Sequence, residues 1–226
     1  MSTLFDFLET TYYTSVVLLF ETLFIATVGF KKRGKLKILK YFPLYAILSS
    51  AQILICFACM YYDFKYALEV NTSTIYIFII IELIIIYNFL LQIIKIRELR
   101  YSIYLIQGIF FAFTVYTLLT TGVSHSIQPK FNIVNSVCIA LPCFFYFYET
   151  FSKPAIISLS KEPSFWVVIG FLFMAISTLP FYCLQNYIYK NIPSLFEQMY
   201  TISPIFYCLL FLLLLKAFIC NPTTIK

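Results

Sequence analysis

Histidine and glycine are scarce in this chain, and their scarcity excludes several classes of enzyme. The 226 residues include one histidine, His125, and five glycines. A single histidine cannot form the two-histidine helix of a zinc hydrolase or a histidine-based catalytic triad. The sequence also has no G-x-S-x-G motif and no glycine-rich loop that could cradle a phosphate. It therefore predicts a protein that is not an enzyme and that has no metal site.

Charged residues are also scarce, which excludes an ordinary soluble domain. Only 12% of the residues are charged, whereas 62% are hydrophobic. A chain of this composition cannot present a surface compatible with water, so its expected partner is the lipid bilayer. The net charge of +6 does not indicate nucleic acid, because 13 of the 16 basic residues lie on one predicted side of a membrane.

Long apolar runs fill most of the chain. Each is near 20 residues, the length that crosses the hydrocarbon core of a bilayer as a helix. The predicted fold is therefore an all-helical, polytopic membrane protein, with residues 1–226 forming a single seven-helix transmembrane domain. The seven predicted spans are 12–30, 41–62, 74–94, 102–122, 131–150, 165–186 and 199–219.

The loops between these spans alternate in basic charge. Loops on one side and the carboxyl-terminal end contain 13 of the 16 lysines and arginines, from Lys31 to Lys226, whereas the other side has only Lys65, Lys130 and Lys190. The positive-inside rule places the basic loops in the cytoplasm. The predicted topology has the amino terminus outside, the carboxyl terminus in the cytoplasm and seven crossings of the cell inner membrane.

No cofactor is expected. Lys216, near the end of the seventh span, occupies a position like that of a retinal-binding lysine, but it lies where the span meets the basic side. We expect its amine to snorkel into the interface. The pair Cys56 and Cys59 has no second C-x-x-C and no neighbouring histidine, so we interpret it as helix packing rather than a zinc site.

Two carboxylates lie within the hydrocarbon. Glu21 is near the middle of span one and Glu82 is within span three, and an acid at such a depth costs roughly 2.5 to 3.5 kcal/mol on insertion scales. With no lysine or arginine at that depth, both are expected to be neutral acids that face the bundle interior. Polar residues of neighbouring spans could be their partners, among them Ser49, Ser50, Gln52, Asn88, Gln92, Gln107, Asn132 and Asn135.

Two interpretations of these acids remain open. They can be structural, holding helices in register by hydrogen bonds of about 0.6 kcal/mol each. They can also line a cavity that binds a ligand, a proton or a cation. The candidate ligand-binding residues are Glu21, Glu82, Gln52, Asn88 and Asn135. Glu149 is expected to be an interface residue or to pair with Lys153 one turn later.

One stretch resembles a known group of proteins. Residues 162–173 read Glu-Pro-Ser-Phe-Trp-Val-Val-Ile-Gly-Phe-Leu-Phe, with Leu179-Pro180 further along. This sequence resembles the P-x-F-W-[IV]-x-x-G-x-L-x-[YF] start of span six in uncharacterised seven-span membrane proteins of Bacteroidota. Those proteins are similar to the membrane halves of bacterial sensors, and the resemblance implies a sensory or regulatory role without supplying site residues. Size and topology are also similar to the seven-span sugar exporters with PQ loops, although this chain has no Pro-Gln dipeptide.

Three functions therefore stand as hypotheses. The first is a receptor-like sensory or regulatory protein that binds a small or lipidic ligand between helices and signals through a membrane or cytoplasmic partner. The second is a transporter of a small solute or ion that uses Glu21 and Glu82. The third is a scaffold subunit of a membrane complex, in which the acids only fix helix contacts.

Overall fold

The computed structural model describes residues 2–32, 36–61, 64–121, 129–152 and 159–220. Seven α-helices account for nearly all of them. Short 3-10 turns at Lys37–Leu39 and Leu159–Lys161 precede α2 and α6. The helices are α1 (Ser2–Lys32), α2 (Phe42–Tyr61), α3 (Phe64–Ile93), α4 (Arg97–Thr121), α5 (Pro129–Phe151), α6 (Pro163–Asn191) and α7 (Pro193–Ile219).

All seven helices are long and apolar enough to cross a membrane. This confirms the all-helical fold and the seven helices able to span a membrane, which fit a multi-pass membrane protein. The connections that the predicted spans leave at 63–73 and 187–198 are mostly helical. Helix α3 begins at Phe64, about ten residues before its span, and only Ile192 separates α6 from α7.

Prolines set where several helices begin. Helices α5, α6 and α7 each start at a proline, whose missing N–H would have no partner in the first turn. Pro193 does this directly after Ile192, whose backbone N–H still bonds to the Ile188 carbonyl. A proline at this position ends one helix and starts the next with almost no connection, which keeps α6 and α7 adjacent.

Six of the helices form a ring, and α4 lies outside it. Around the ring, contacts run in the order α1, α2, α3, α5, α6, α7 and back to α1. The main contacts of helix α4 are with α3 and α5. A smaller share of its span is buried than in any of the other six spans. At one end of the bundle α1, α3, α5 and α7 finish and α2, α4 and α6 begin. We call this the basic end, because Lys31, Lys95, Arg97 and Lys216 lie there.

Small and aromatic residues close the ring. A Cβ atom on Gly29 of α1 would lie 2.7 Å from Cγ of Pro43 and 2.9 Å from Cζ of Phe218, so only glycine lets α1, α2 and α7 approach this closely. Across the ring, the Phe171 ring of α6 lies 6.0 Å from that of Phe42 and 5.7 Å from that of Tyr45, both in α2. These contacts leave the ring interior filled by side chains.

Candidate functional site

Glu82 lies in the interior of the ring, at the interface of α2 and α3. Its Oε1 accepts a hydrogen bond of 2.7 Å from the Tyr45 hydroxyl, and both residues are almost fully buried. Between Tyr76 and Tyr87 of helix α3, Glu82 is surrounded along the chain by apolar residues. Its hydrogen bond to Tyr45 therefore helps to fix which face of α3 meets α2. The predicted interior position of this acid agrees with the structure.

Aromatic rings enclose this pair. The ring of Tyr45 stacks on Phe78 of α3 at 5.9 Å and on Phe211 of α7 at 5.7 Å, and Phe171 of α6 approaches at a tilt. Stacked and tilted aromatic pairs at these distances are attractive and pack densely. Glu82 therefore occupies a sealed, hydrogen-bonded position, which favours its structural interpretation.

A second polar contact lies along the same interface. The Gln52 amide of α2 donates to Thr74 Oγ1 of α3 at 3.4 Å and approaches the Cys56 sulfur at 3.7 Å. Because Gln52 lies two turns from Tyr45, and Thr74 two turns from Glu82, the two contacts pin the antiparallel helices in one register. Thr22 and Ser50, 2.7 Å apart, make a similar contact between α1 and α2.

Glu21 lies elsewhere, between α1 and α7. Its carboxylate lies against the Cys208 thiol of α7. Its Oε1 is buried and has no hydrogen-bond partner among the described residues. The side chain as a whole is half-buried. Glu21 and Glu82 thus occupy separate interfaces and are not parts of one site.

The two predicted asparagines differ in position. Asn88 lies on the exposed face of α3, where its Nδ2 donates to the Ile84 carbonyl of the same helix at 2.8 Å, so it contributes nothing to the interior. Asn135 is on the face of α5 that carries Phe131, which contacts α3 and α4. Its buried Oδ1 has no partner in the described part of the chain.

The larger of the two best-formed cavities lies between α3 and α4. Its volume is about 370 Å³, within the usual range for ligand pockets. Three lining residues, Ile84, Tyr104 and Phe111, are 45%, 52% and 65% exposed, so the cavity opens onto the outer face of the bundle. The lining consists of Ile80, Leu83, Ile84, Tyr87, Tyr104, Gln107, Gly108, Phe110, Phe111 and Thr114.

Gly108 and Gln107 give this cavity its shape and its polar character. No atom lies within 4 Å of where a Cβ of Gly108 would be, so the glycine leaves space that a side chain could fill. Gln107, beside it, makes no hydrogen bond to any residue that the structure describes. The other buried polar groups here are satisfied: the Tyr87 hydroxyl donates to the Cys138 carbonyl at 3.0 Å, and Thr114 to the Phe110 carbonyl.

Glu149 of α5 holds the connection between α3 and α4 at the basic end of the bundle. It is 3% exposed, and its Oε2 accepts hydrogen bonds from the backbone N–H groups of Lys95 and Ile96 at 2.8 and 3.2 Å. These residues form the short connection between α3 and α4, where a carboxylate also meets the positive end of the α4 dipole. The expected pairing with Lys153 lies outside the described residues. Glu149 ties the α3–α4 connection to α5.

The cavity residues were only partly visible in the sequence. The sequence places Gln107 among the polar residues that could be partners of the acids, but it does not single out Tyr87, Tyr104 or Gly108. A glycine beside the one amide of span four is the signal that could have found them. Among the described residues, no three His, Cys, Asp or Glu side chains lie close enough to hold a metal ion.

Comparison with protein-family models, curated proteins and solved structures finds no match for this chain. The resemblance to the seven-span proteins of Bacteroidota therefore stays a prediction.

Proposed function

We propose that the protein is a receptor-like sensory or regulatory membrane protein that takes a lipidic ligand from the bilayer into the α3–α4 cavity and signals through a partner. The observation that carries this proposal is the cavity itself. It is open towards lipid, largely apolar and contains an amide without a partner among the described residues. An apolar pocket with a few placed polar groups is the usual form of a small-molecule site.

We propose that the protein spans the inner membrane of the cell. Its amino terminus lies outside and its basic end lies in the cytoplasm. The support is the distribution of basic residues, 13 on one side and 3 on the other. A cysteine introduced by Thr3→Cys should react with an impermeant thiol reagent in intact cells, and one introduced by Thr224→Cys should not. Labelling of Thr224→Cys would contradict the topology.

Helix α4 is the element through which a ligand would act. It lies outside the ring and borders the cavity along one side. A ligand that fills the cavity changes how closely α4 packs against α3. The connection at Lys95 and Ile96, bonded to Glu149, carries that change to the basic end, where a cytoplasmic partner can bind.

The proposal is tested by ligand-dependent stabilisation. Purified, delipidated protein should be stabilised when fractionated membrane lipids are added, by about 2.7 kcal/mol at a ligand concentration 100 times Kd. Gly108→Leu, which fills the cavity, should abolish that stabilisation. Ile109→Phe, on the exposed face of the same helix that points away from the cavity lining, should retain it. Equal responses of both variants would contradict the proposal.

Transport is the second candidate, and Glu21 is the observation that favours it. A half-buried carboxylate with one buried oxygen unpaired among the described residues can exchange a proton or bind a cation between α1 and α7. Glu21→Gln should then abolish pH-driven solute uptake in proteoliposomes, while Glu82→Gln, at the sealed position, should leave it unchanged. Absence of any gradient-dependent uptake by the wild type across a broad substrate panel counts against transport.

A further inference from the structure

The α3–α4 cavity lies at mid-depth in the membrane. Its α3 residues run from Ile80 to Tyr87 within a span that extends from Ser73 to Ile93. At 1.5 Å per residue, each end of the span is roughly 9 Å or more away. The head group of an ordinary phospholipid cannot lie at this depth, so an occupant must place either an apolar chain or a neutral group there.

Gln107 lies in this cavity with its hydrogen-bonding capacity unused by the described residues. An amide carries two donors and an acceptor, and leaving them unmet away from water is unfavourable in hydrocarbon. Gln52, which bonds to Thr74, and Asn88, which bonds to its own helix, avoid this cost. Buried oxygens of Glu21, Asn135 and Gln185 are also unpaired among the described residues, but none of these three residues lines the cavity. Gln107 is therefore placed to bond a group that enters the cavity.

The cavity has no group that would balance a charge. None of its ten lining residues is acidic, basic or histidine. An ionised ligand group at this depth would lose its hydration without gaining a counter-ion. The Tyr104 hydroxyl, one turn from Gln107 towards the basic end, also makes no hydrogen bond within the described part of the chain. The Gln107 amide and the Tyr104 hydroxyl can each form a hydrogen bond with an uncharged oxygen of a ligand.

We propose that the cavity binds a neutral lipid with a hydroxyl or carbonyl oxygen on an apolar body, and that Gln107 recognises this oxygen. The Gln107 amide donates to a carbonyl, or accepts from a hydroxyl and donates to it. The apolar body lies against Leu83, Phe110 and Phe111 and fills the space over Gly108. This inference rests on the proposed function and names the chemical class of its ligand.

The test compares four photoreactive probes with the same long chain, which carry no oxygen, a hydroxyl, a ketone or a carboxylate at one position. In proteoliposomes at pH 7, the hydroxyl and ketone probes should label peptides of α3 and α4 about 2- to 12-fold more than the hydrocarbon probe, the ratio expected from one net hydrogen bond. The carboxylate probe should show no such preference.

Gln107→Leu should reduce this ratio to about one and leave hydrocarbon labelling unchanged. The matched control is Gln92→Leu, because Gln92 is an exposed amide of α3 outside the cavity lining. Its ratio should equal that of the wild type. An unchanged ratio in Gln107→Leu, or strongest labelling by the carboxylate, overturns the assignment of the ligand class. If no probe labels α3 and α4 above the rest of the lipid-facing surface, the proposed function fails as well.

Discussion

The two interfaces of helix α3 differ in how they treat polar side chains. Towards α2, Glu82 bonds to Tyr45 and Thr74 to Gln52, and aromatic rings fill the remaining space. Towards α4, a cavity of about 370 Å³ remains and Gln107 is unbonded within the described chain. The same helix thus has one interface completed by the protein itself and one that a further molecule could complete.

This difference separates residues that hold the fold from residues available for binding. Glu82 and Glu21 were conspicuous because charge is costly in hydrocarbon, yet the enclosed pair of Glu82 and Tyr45 leaves no room for a ligand. An uncharged amide such as Gln107 costs less free energy to insert into the membrane than an acid, so it is less conspicuous in the sequence. It lies, however, where a ligand can reach it. The free energy of inserting a residue into the membrane therefore does not indicate which helix interface has space for a ligand.

The largest expected difference in stability is between two glycine-to-leucine substitutions, one at a tightly packed position and one that lines the α3–α4 cavity. Gly29→Leu should destabilise the protein by about 3 kcal/mol or prevent its assembly, because the new side chain would overlap Pro43 and Phe218. Gly108→Leu should change the free energy of unfolding by less than about 0.5 kcal/mol in lipid-free detergent, because no atom lies near its Cβ position. Unfolding in detergent measures both. Equal losses would mean that the α3–α4 cavity is not open.

Substitutions of Glu82 test the closed interface. Glu82→Ala should cost about 1 to 3 kcal/mol, because the buried Tyr45 hydroxyl loses its acceptor. Glu82→Gln should be nearly silent, since its amide oxygen can accept the same bond. Thermal unfolding in detergent compares them, and an infrared carbonyl band that disappears in Glu82→Gln identifies the neutral acid. An alanine variant as stable as the wild type would place Glu82 outside the interior network.

The sequence predicts the seven spans well, because long runs of Ile, Leu and Phe are enough to define a membrane helix. It also places Glu82 inside, since an acid facing lipid is costly. It does not predict which helices touch, because side-chain shape decides that. Asn88 shows the limit: the structure turns it outward, where its own helix supplies the Ile84 carbonyl. The glycine next to Gln107 is the local feature that distinguishes it from Asn88.

Glu149 illustrates the same limit for the connections. Its position near the end of α5 indicated an interface residue, whereas it is buried against the backbone of Lys95 and Ile96. The contact joins Lys95 and Glu149, which are 54 positions apart. A local sequence pattern cannot predict a contact between residues so far apart in the chain.

Glu149 also offers a way to release α4 from the ring at its basic end. In Glu149→Ala, the amide hydrogens of Lys95 and Ile96 should exchange about 5- to 10-fold faster, the effect of losing roughly 1 kcal/mol of hydrogen bonding. Hydrogen exchange with mass spectrometry measures this. Glu162→Ala, at the start of α6 on the same end, should leave these amides unchanged. Identical exchange in Glu149→Ala would show that the contact does not hold the connection.

The smallest effect should have opposite signs at the two interfaces. Gln107→Leu should stabilise the lipid-free protein by up to about 1 kcal/mol, because it removes an unmet amide, and Gln52→Leu should destabilise it by a similar amount. Chemical unfolding in the same detergent gives both values. A loss of stability in Gln107→Leu would reveal a partner that the described residues do not supply.

Native mass spectrometry of protein gently extracted from membranes tests the central claim most directly. We expect the wild type and Ile109→Phe to retain a neutral lipid that is released only on activation, and Gly108→Leu to be free of it. The same bound lipid in all three proteins, or in none, would contradict the assignment of the α3–α4 cavity as the ligand site.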